Sequence, residues 1–153
     1  MKKKSIKYCL ITTIIVSILF FLGLKFIYSS LDFQGILRFI ARGIYGKEAL
    51  GDLGNMPFKG LFLHLLISFI WCFAFFGVYP NFKFQNPNWI RTGVVYGMLI
   101  FFIMNFGVLP IAITKDFPIE PLFLLKSAIA HILGVGLPIA YIYIQKTDVK
   151  PEK

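Results

Sequence analysis

Acidic side chains are scarce in this chain. Seven Asp and Glu stand against sixteen Lys and Arg, and charged residues of both signs make up only 15% of the 153 residues. A soluble domain carries about 25% charged residues, so too little polar surface exists to cover the chain in water. Histidine and cysteine are rarer still, at two each. Cys9 and Cys72 form no CxxC or CxxxH spacing, which argues against a metal knuckle or a disulfide framework and for small buried thiols. The sequence contains no GxSxG, HExxH, P-loop or dinucleotide fingerprint. Asp32, Glu48, Asp52, Asp116 and Glu120 would all lie outside, at the loops between apolar runs. A hydrolytic site pairing His64 with Asp52 or Asp116 would lack a nucleophile, so catalysis is not expected.

What the chain has instead is hydrocarbon: 58% of it is hydrophobic and 18% aromatic. Crossing a bilayer core takes about 20 apolar residues in a helix. Four segments meet that length, at 8–28, 58–79, 92–113 and 122–144, and none contains an acidic residue. The basic start MKKKSIK resembles the n-region of a signal peptide, but the apolar run is longer than the usual 7–15 residues and no A-x-A site follows. The first segment is therefore expected to stay as a span. The net charge of +9 sits at segment ends rather than on a basic face, which speaks against nucleic acid as a partner. The expected partners are a lipid bilayer and either a second copy or another membrane protein.

Loop charge sets the expected orientation. With the N-terminus inside, nine basic residues (Lys2, Lys3, Lys4, Lys7, Lys83, Arg91, Lys146, Lys150 and Lys153) lie inside and the other seven outside. The cluster at the first span tips the balance toward both termini in the cytoplasm. Between the first two spans, Gln34, Arg38 and Arg42 recur at i, i+4, i+8, while Phe33, Ile36, Leu37, Ile40 and Ile44 gather on the other face. This pattern predicts an amphipathic helix over 32–45, with Asp32 as N-cap and Gly46 at its C-terminal end. Its apolar side is expected in the acyl boundary and its arginines at headgroups; the alternative is a lid over a site between the spans. Asn81, Asn86, Pro87 and Asn88 predict a turn before Trp89, an interfacial anchor, and TKDFPIEP a tight third loop.

The polar residues inside the spans form rows. Gly60, His64, Ser68 and Cys72 are spaced by four, and Gly93, Gly97 and Asn105 share a face of the third segment. On the fourth, Ala130, Gly134 and Pro138 align, with Ser127 and His131 beside them. Small residues let helices approach closely in lipid, and polar groups bond across the contact. Gly93, Gly97, Gly134 and Pro138 are therefore expected at helix packing. Pro138 would free the carbonyl of Gly134. By depth, His64, Asn105 and His131 all fall in the outer half; if the rows converge, they would form, together with Ser68 and Ser127, a pocket that binds or conducts a small ligand. The competing reading makes the same groups pure packing devices of an interaction subunit. No cofactor is expected; haem or a metal held by His64 and His131 is the remote alternative.

The blocks Gly35–Asp52 (GILRFIARGIYGKEALGD), Lys59–Phe69 (KGLFLHLLISF), Gly93–Ala112 (GVVYGMLIFFIMNFGVLPIA) and His131–Ala140 (HILGVGLPIA) resemble a family of small uncharacterised bacterial four-helix integral membrane proteins. The resemblance places Gly43, Gly46, His64, Tyr96, Gly97, Asn105, Pro110, His131, Gly136 and Pro138 at pattern positions. Arg38 stands where the pattern has a neutral amide. It implies an all-α membrane protein: a four-helix antiparallel bundle with one extra interfacial helix, a single domain, in the bacterial inner membrane. It implies no activity.

Overall fold

A computed structural model of the chain describes residues 3–27, 32–51, 54–81, 88–113 and 120–146. Helix accounts for 95% of them, and no strand forms among the described residues. Asn86, Pro87, Asp52, Asp116 and most of the third loop lie outside the described residues, as do Lys2, Lys83, Lys115, Lys150 and Lys153.

Helix α1 spans Lys3–Ile27. It is rich in β-branched residues, which lower helix propensity in water. In hydrocarbon, by contrast, every backbone N–H and C=O must be satisfied within the segment, and a helix does this. The Thr12 and Thr13 hydroxyls donate to the carbonyls of Tyr8 and Cys9, at 2.6 and 2.9 Å, so neither polar group is left unpaired. Helix α2 spans Phe33–Tyr45. The Asp32 carboxylate caps it by accepting from the Gly35 N–H at 2.7 Å. Gly46, at φ 65°, ends it in the left-handed region that glycine tolerates, and a 3-10 turn follows over Gly46–Leu50.

Helix α3 spans Met56–Val78 and is entered through Pro57. A 3-10 turn over Tyr79–Asn81 closes it, with the Asn81 amide donating to the Gly77 carbonyl at 2.8 Å. The third span begins as α4, Trp89–Phe102, capped by Asn88 Oδ1, which accepts from the N–H groups of Ile90 and Arg91. It widens into a π turn over Ile103–Val108 and returns to α-helix as α5, Leu109–Ile113. The fourth repeats that plan: α6, Pro121–His131, a π turn over Ile132–Gly136, then α7, Leu137–Lys146.

Both π turns precede the sequence Leu-Pro-Ile-Ala. Pro110 and Pro138 have no N–H for the carbonyl four residues back, and their rings crowd it. The wider turn ends on the residue just before each proline: the Leu109 N–H bonds to the Met104 carbonyl, and the Leu137 N–H to the Ile132 carbonyl. Both bonds reach five residues back rather than four.

Four helical stretches, Ile6–Lys25, Met56–Asn81, Trp89–Ala112 and Pro121–Lys146, are long and apolar enough to cross a membrane. At most 33% of the most apolar part of any of them is buried within the chain. The remainder is outward-facing hydrocarbon, with Phe58 74% and Ile111 82% exposed. Patches of that extent are not sustained in water; they are the lipid-facing surface of a multi-pass membrane protein.

Glycine sets the close approaches. A Cβ on Gly93 or Gly97 would lie 2.7 Å from the Cα of Leu137 or of Ile132, and one on Gly136 would strike the Gly93 carbonyl. The third and fourth spans therefore touch backbone to backbone. Gly60 does the same for α2, whose Leu37 carbonyl occupies the space where a Cβ would be. Around this frame, Cys9, Val16, Cys72, Phe76, Ile100 and Ile139 form a dense core in which Phe75, Phe76 and Tyr79 each meet Tyr143 edge to face, with centroids 5.0–5.5 Å apart. Both cysteines are free and buried. A smaller cluster of Phe21, Ile36 and Leu37, with Leu24 and Leu61 against it, binds α2 to α1 and α3. The apolar side of α2 is thus turned onto protein rather than into acyl chains, because Leu37 fits the gap left by Gly60. Phe33 and Ile44 stay exposed at its two ends.

Candidate functional site

Between α2 and the four spans lies a cavity of about 500 Å³. That is within the ~300–1,000 Å³ range of small-molecule sites. Ile36, Phe39, Ile40, Gly43 and Ile44 of α2 form one wall, so the helix acts as a roof. The spans contribute Leu63, Ile67, Met104, Val108, Phe123 and others, nearly all hydrocarbon. Among the described lining residues there is no Asp, Glu, Lys or Arg. The polar exceptions are His64, Ser68, Ser127 and His131, together with the indole of Trp71.

Neighbouring residues hold these groups in place. Phe20 of α1 stacks on the His64 ring (centroids 5.2 Å apart, planes 19° apart) and meets the His131 ring edge-on at 5.4 Å. One phenyl group therefore contacts both imidazoles. Phe21 contacts His64 from another side at 4.4 Å. Gly134 admits α1 here, since a Cβ on it would lie 3.2 Å from the Phe20 Cα. The Ser68 hydroxyl is 3.3 Å from Nε2 of His64.

A chain of hydrogen bonds runs from the third span to His131. The Asn105 amide donates to the Phe101 carbonyl at 2.9 Å, and its oxygen accepts from the Ser127 hydroxyl at 3.1 Å. The Ser127 carbonyl in turn lies 2.7 Å from Nδ1 of His131. A carbonyl can only accept, so Nδ1 carries the proton. In the neutral ring Nε2 is then a bare acceptor, and no group among the described residues bonds to it.

Of the residues marked in the sequence, His64, Ser68, Ser127 and His131 therefore wall one cavity. Asn105 does not reach it: the side chain is 0% exposed and stands behind Ser127. Gly93 and Gly97 face the fourth span, so they are occupied within the chain rather than displayed to a second copy. Gly134 packs on α1 and Pro138 is half-buried beyond the π turn. Arg38 and Arg42 are half-buried on α2, and half-buried Trp89 meets Tyr141 edge-on at 5.2 Å. Among the described residues no three His, Cys, Asp or Glu side chains converge as a metal would require.

Phe20 and Trp71 emerge only from the structure, as does the close approach of Gly136 to Gly93. A signal for α1 did exist in the sequence: Cys9, Thr13, Ser17 and Phe21 are spaced by four, and all four are buried.

The fold and cavity together define a class: an all-helical chain with four candidate membrane spans and a roofed, uncharged cavity between them. Comparisons with protein-family models, curated proteins and solved structures find no match.

Proposed function

We propose that this chain is a non-enzymatic integral membrane protein that binds a small ligand in the cavity under α2. The observation that carries this reading is a 500 Å³ space with two imidazoles on its otherwise hydrocarbon wall. Ionisable groups at membrane depth are costly, and such a group is by default a mark of a ligand site or ion pathway. A subunit whose buried polar groups served packing alone would close on them. Asn105 fits that packing role, while His64 and His131 border open space.

In this reading the spans form an antiparallel bundle, as their short connections favour, in a bacterial inner membrane. Lysines near the first span keep both termini in the cytoplasm. α2 then lies at the outer surface, with Arg38 and Arg42 near headgroups. Binding rather than conduction is favoured, because an uncharged hydrocarbon lining offers an ion no replacement for its hydration shell.

The test is thermal unfolding of delipidated protein with fractionated membrane lipids added back. At least one neutral fraction should raise the Tm of wild type and leave Ala130→Phe, whose new ring fills the cavity, unmoved. Equal shifts in both proteins would contradict binding at this cavity.

A further inference from the structure

We propose that the ligand of this cavity is an uncharged, largely hydrocarbon molecule ending in a hydroxyl, with that O–H directed at Nε2 of His131. The inference rests on the binding reading above and specifies the chemistry of its ligand.

Two features select this ligand. The first is the absence of charge. No Asp, Glu, Lys or Arg lines the cavity among the described residues, and its two histidines are imidazoles rather than permanent charges, so a phosphate, carboxylate or ammonium head would be desolvated without a fixed counter-ion, which is strongly unfavourable. The second is the fixed proton of His131. Its Nδ1–H is committed to the Ser127 carbonyl at 2.7 Å, and the Ser127 hydroxyl is committed to Asn105 at 3.1 Å. Nε2 remains as an acceptor in a hydrocarbon wall. A ketone, ester or ether brings only another acceptor and would leave Nε2 unsatisfied, whereas a hydroxyl donates to it. The hydroxyl's own lone pairs can accept from polar hydrogens of the same wall, such as those of the His64–Ser68 pair or the Trp71 indole. Beyond this polar end, Ile40, Leu63, Ile67, Met104 and Val108 leave room for hydrocarbon alone.

Trp71 lines the cavity, and Trp89 is the other of the chain's two tryptophans. The full-length Trp89→Phe protein in lipid nanodiscs therefore reports on the cavity through its fluorescence. It would be titrated with an ω-brominated undecanol, the methyl ether of that alcohol, and the matching ω-brominated undecanoate, because bromine quenches an adjacent indole. The alcohol should quench saturably at roughly tenfold lower concentration than the ether, as expected for one hydrogen bond that otherwise leaves a buried acceptor unsatisfied. The carboxylate should be weaker still. In His131→Phe, alcohol and ether should coincide, while His131→Gln, which retains an acceptor oxygen, should keep part of the preference.

Equal binding of alcohol and ether, a preference for the carboxylate, or an alcohol preference that survives His131→Phe would overturn the hydroxyl assignment and leave the binding site standing. Absence of saturable quenching by all three probes would remove the binding reading as well. The comparison of the three probes is made on unaltered His131, so it does not depend on any histidine variant folding.

Discussion

The Ser127 hydroxyl on the fourth span donates to the Asn105 side-chain oxygen on the third, 3.1 Å away. This bond joins the two spans behind the cavity wall and takes up the Ser127 O–H, whose oxygen lies 3.4 Å from Nδ1 of His131. His131 donates from Nδ1 to the Ser127 carbonyl, which leaves Nε2 as the acceptor of a ring that lines the cavity. Asn105 is thus a positioning residue that acts through its neighbour.

Replacing Asn105 with Leu should remove that bond and leave the Ser127 oxygen without its partner. Interhelical hydrogen bonds in membranes contribute about 0.6 kcal/mol on average and about 1.7 at most. A double-mutant cycle with Ser127→Ala, measured by reversible unfolding in bicelles, should give a coupling of that order. The same variant should also weaken binding of the brominated alcohol several-fold, although Asn105 does not line the cavity. Unchanged binding would separate Asn105 from the site.

Gly97→Ala should destabilise by about 1–3 kcal/mol, the usual range for overpacking. Its new Cβ would meet the Ile132 Cα at 2.7 Å and the His131 carbonyl at 2.9 Å, and backbone cannot rotate away. Gly77→Ala is the control, since nothing lies within 4 Å of its Cβ. It should be neutral, or stabilising by about 0.5–1 kcal/mol through helix propensity. Unfolding curves of the two variants side by side decide the matter.

The roof helix should loosen from its N-terminal end in Asp32→Ala. The variant loses the carboxylate that accepts from the Gly35 N–H, at a cost of about 1 kcal/mol. Tyr45→Leu removes the ring over which Lys59 Nζ sits at 4.5 Å, a contact contributing about 0.5–1 kcal/mol at an exposed site. Hydrogen exchange should quicken across 33–45 in both variants while the spans remain protected. Unaltered exchange would mean that α2 is held by the Gly60–Leu37 contact alone.

Both native cysteines are buried, so an introduced one can be labelled against a silent background. Glu48→Cys should react with a membrane-impermeant maleimide on intact cells, and Lys146→Cys only after permeabilisation. Both positions are exposed. The reverse pattern would invert the orientation and place α2 at the cytoplasmic face.

The helical elements were largely legible in the sequence, because lipid leaves few choices. An apolar run of the right length must close its own hydrogen bonds, so the expected segments fall within two or three residues of Met56–Asn81, Trp89–Ala112 and Pro121–Lys146. Asp32 and Gly46 marked the ends of α2 because a carboxylate cap and a left-handed glycine are local chemistry. The pairing of faces was not legible. A row such as Gly93–Gly97 says that something comes close, and only the rotation of the neighbouring helix makes it Leu137 and Ile132. The π turns escaped for a related reason. Periodicity assumes 3.6 residues per turn, and the extra residue ahead of Pro110 and Pro138 shifts every face beyond it. That shift bears on Asn105, which lies within one π turn, and on every residue after His131, the last one before the other. Spacing alone put Asn105 beside the histidines; the structure sets it one layer back, against Ser127.

Mass spectrometry of the protein released from native nanodiscs, comparing wild type with Ala130→Phe, decides whether the cavity holds a ligand in the membrane. Wild type should carry a neutral hydroxyl-bearing lipid enriched above its bulk-membrane abundance, and the cavity-filled variant should lack it. Identical lipid profiles in two equally well-folded proteins would contradict ligand binding and make the cavity a packing defect.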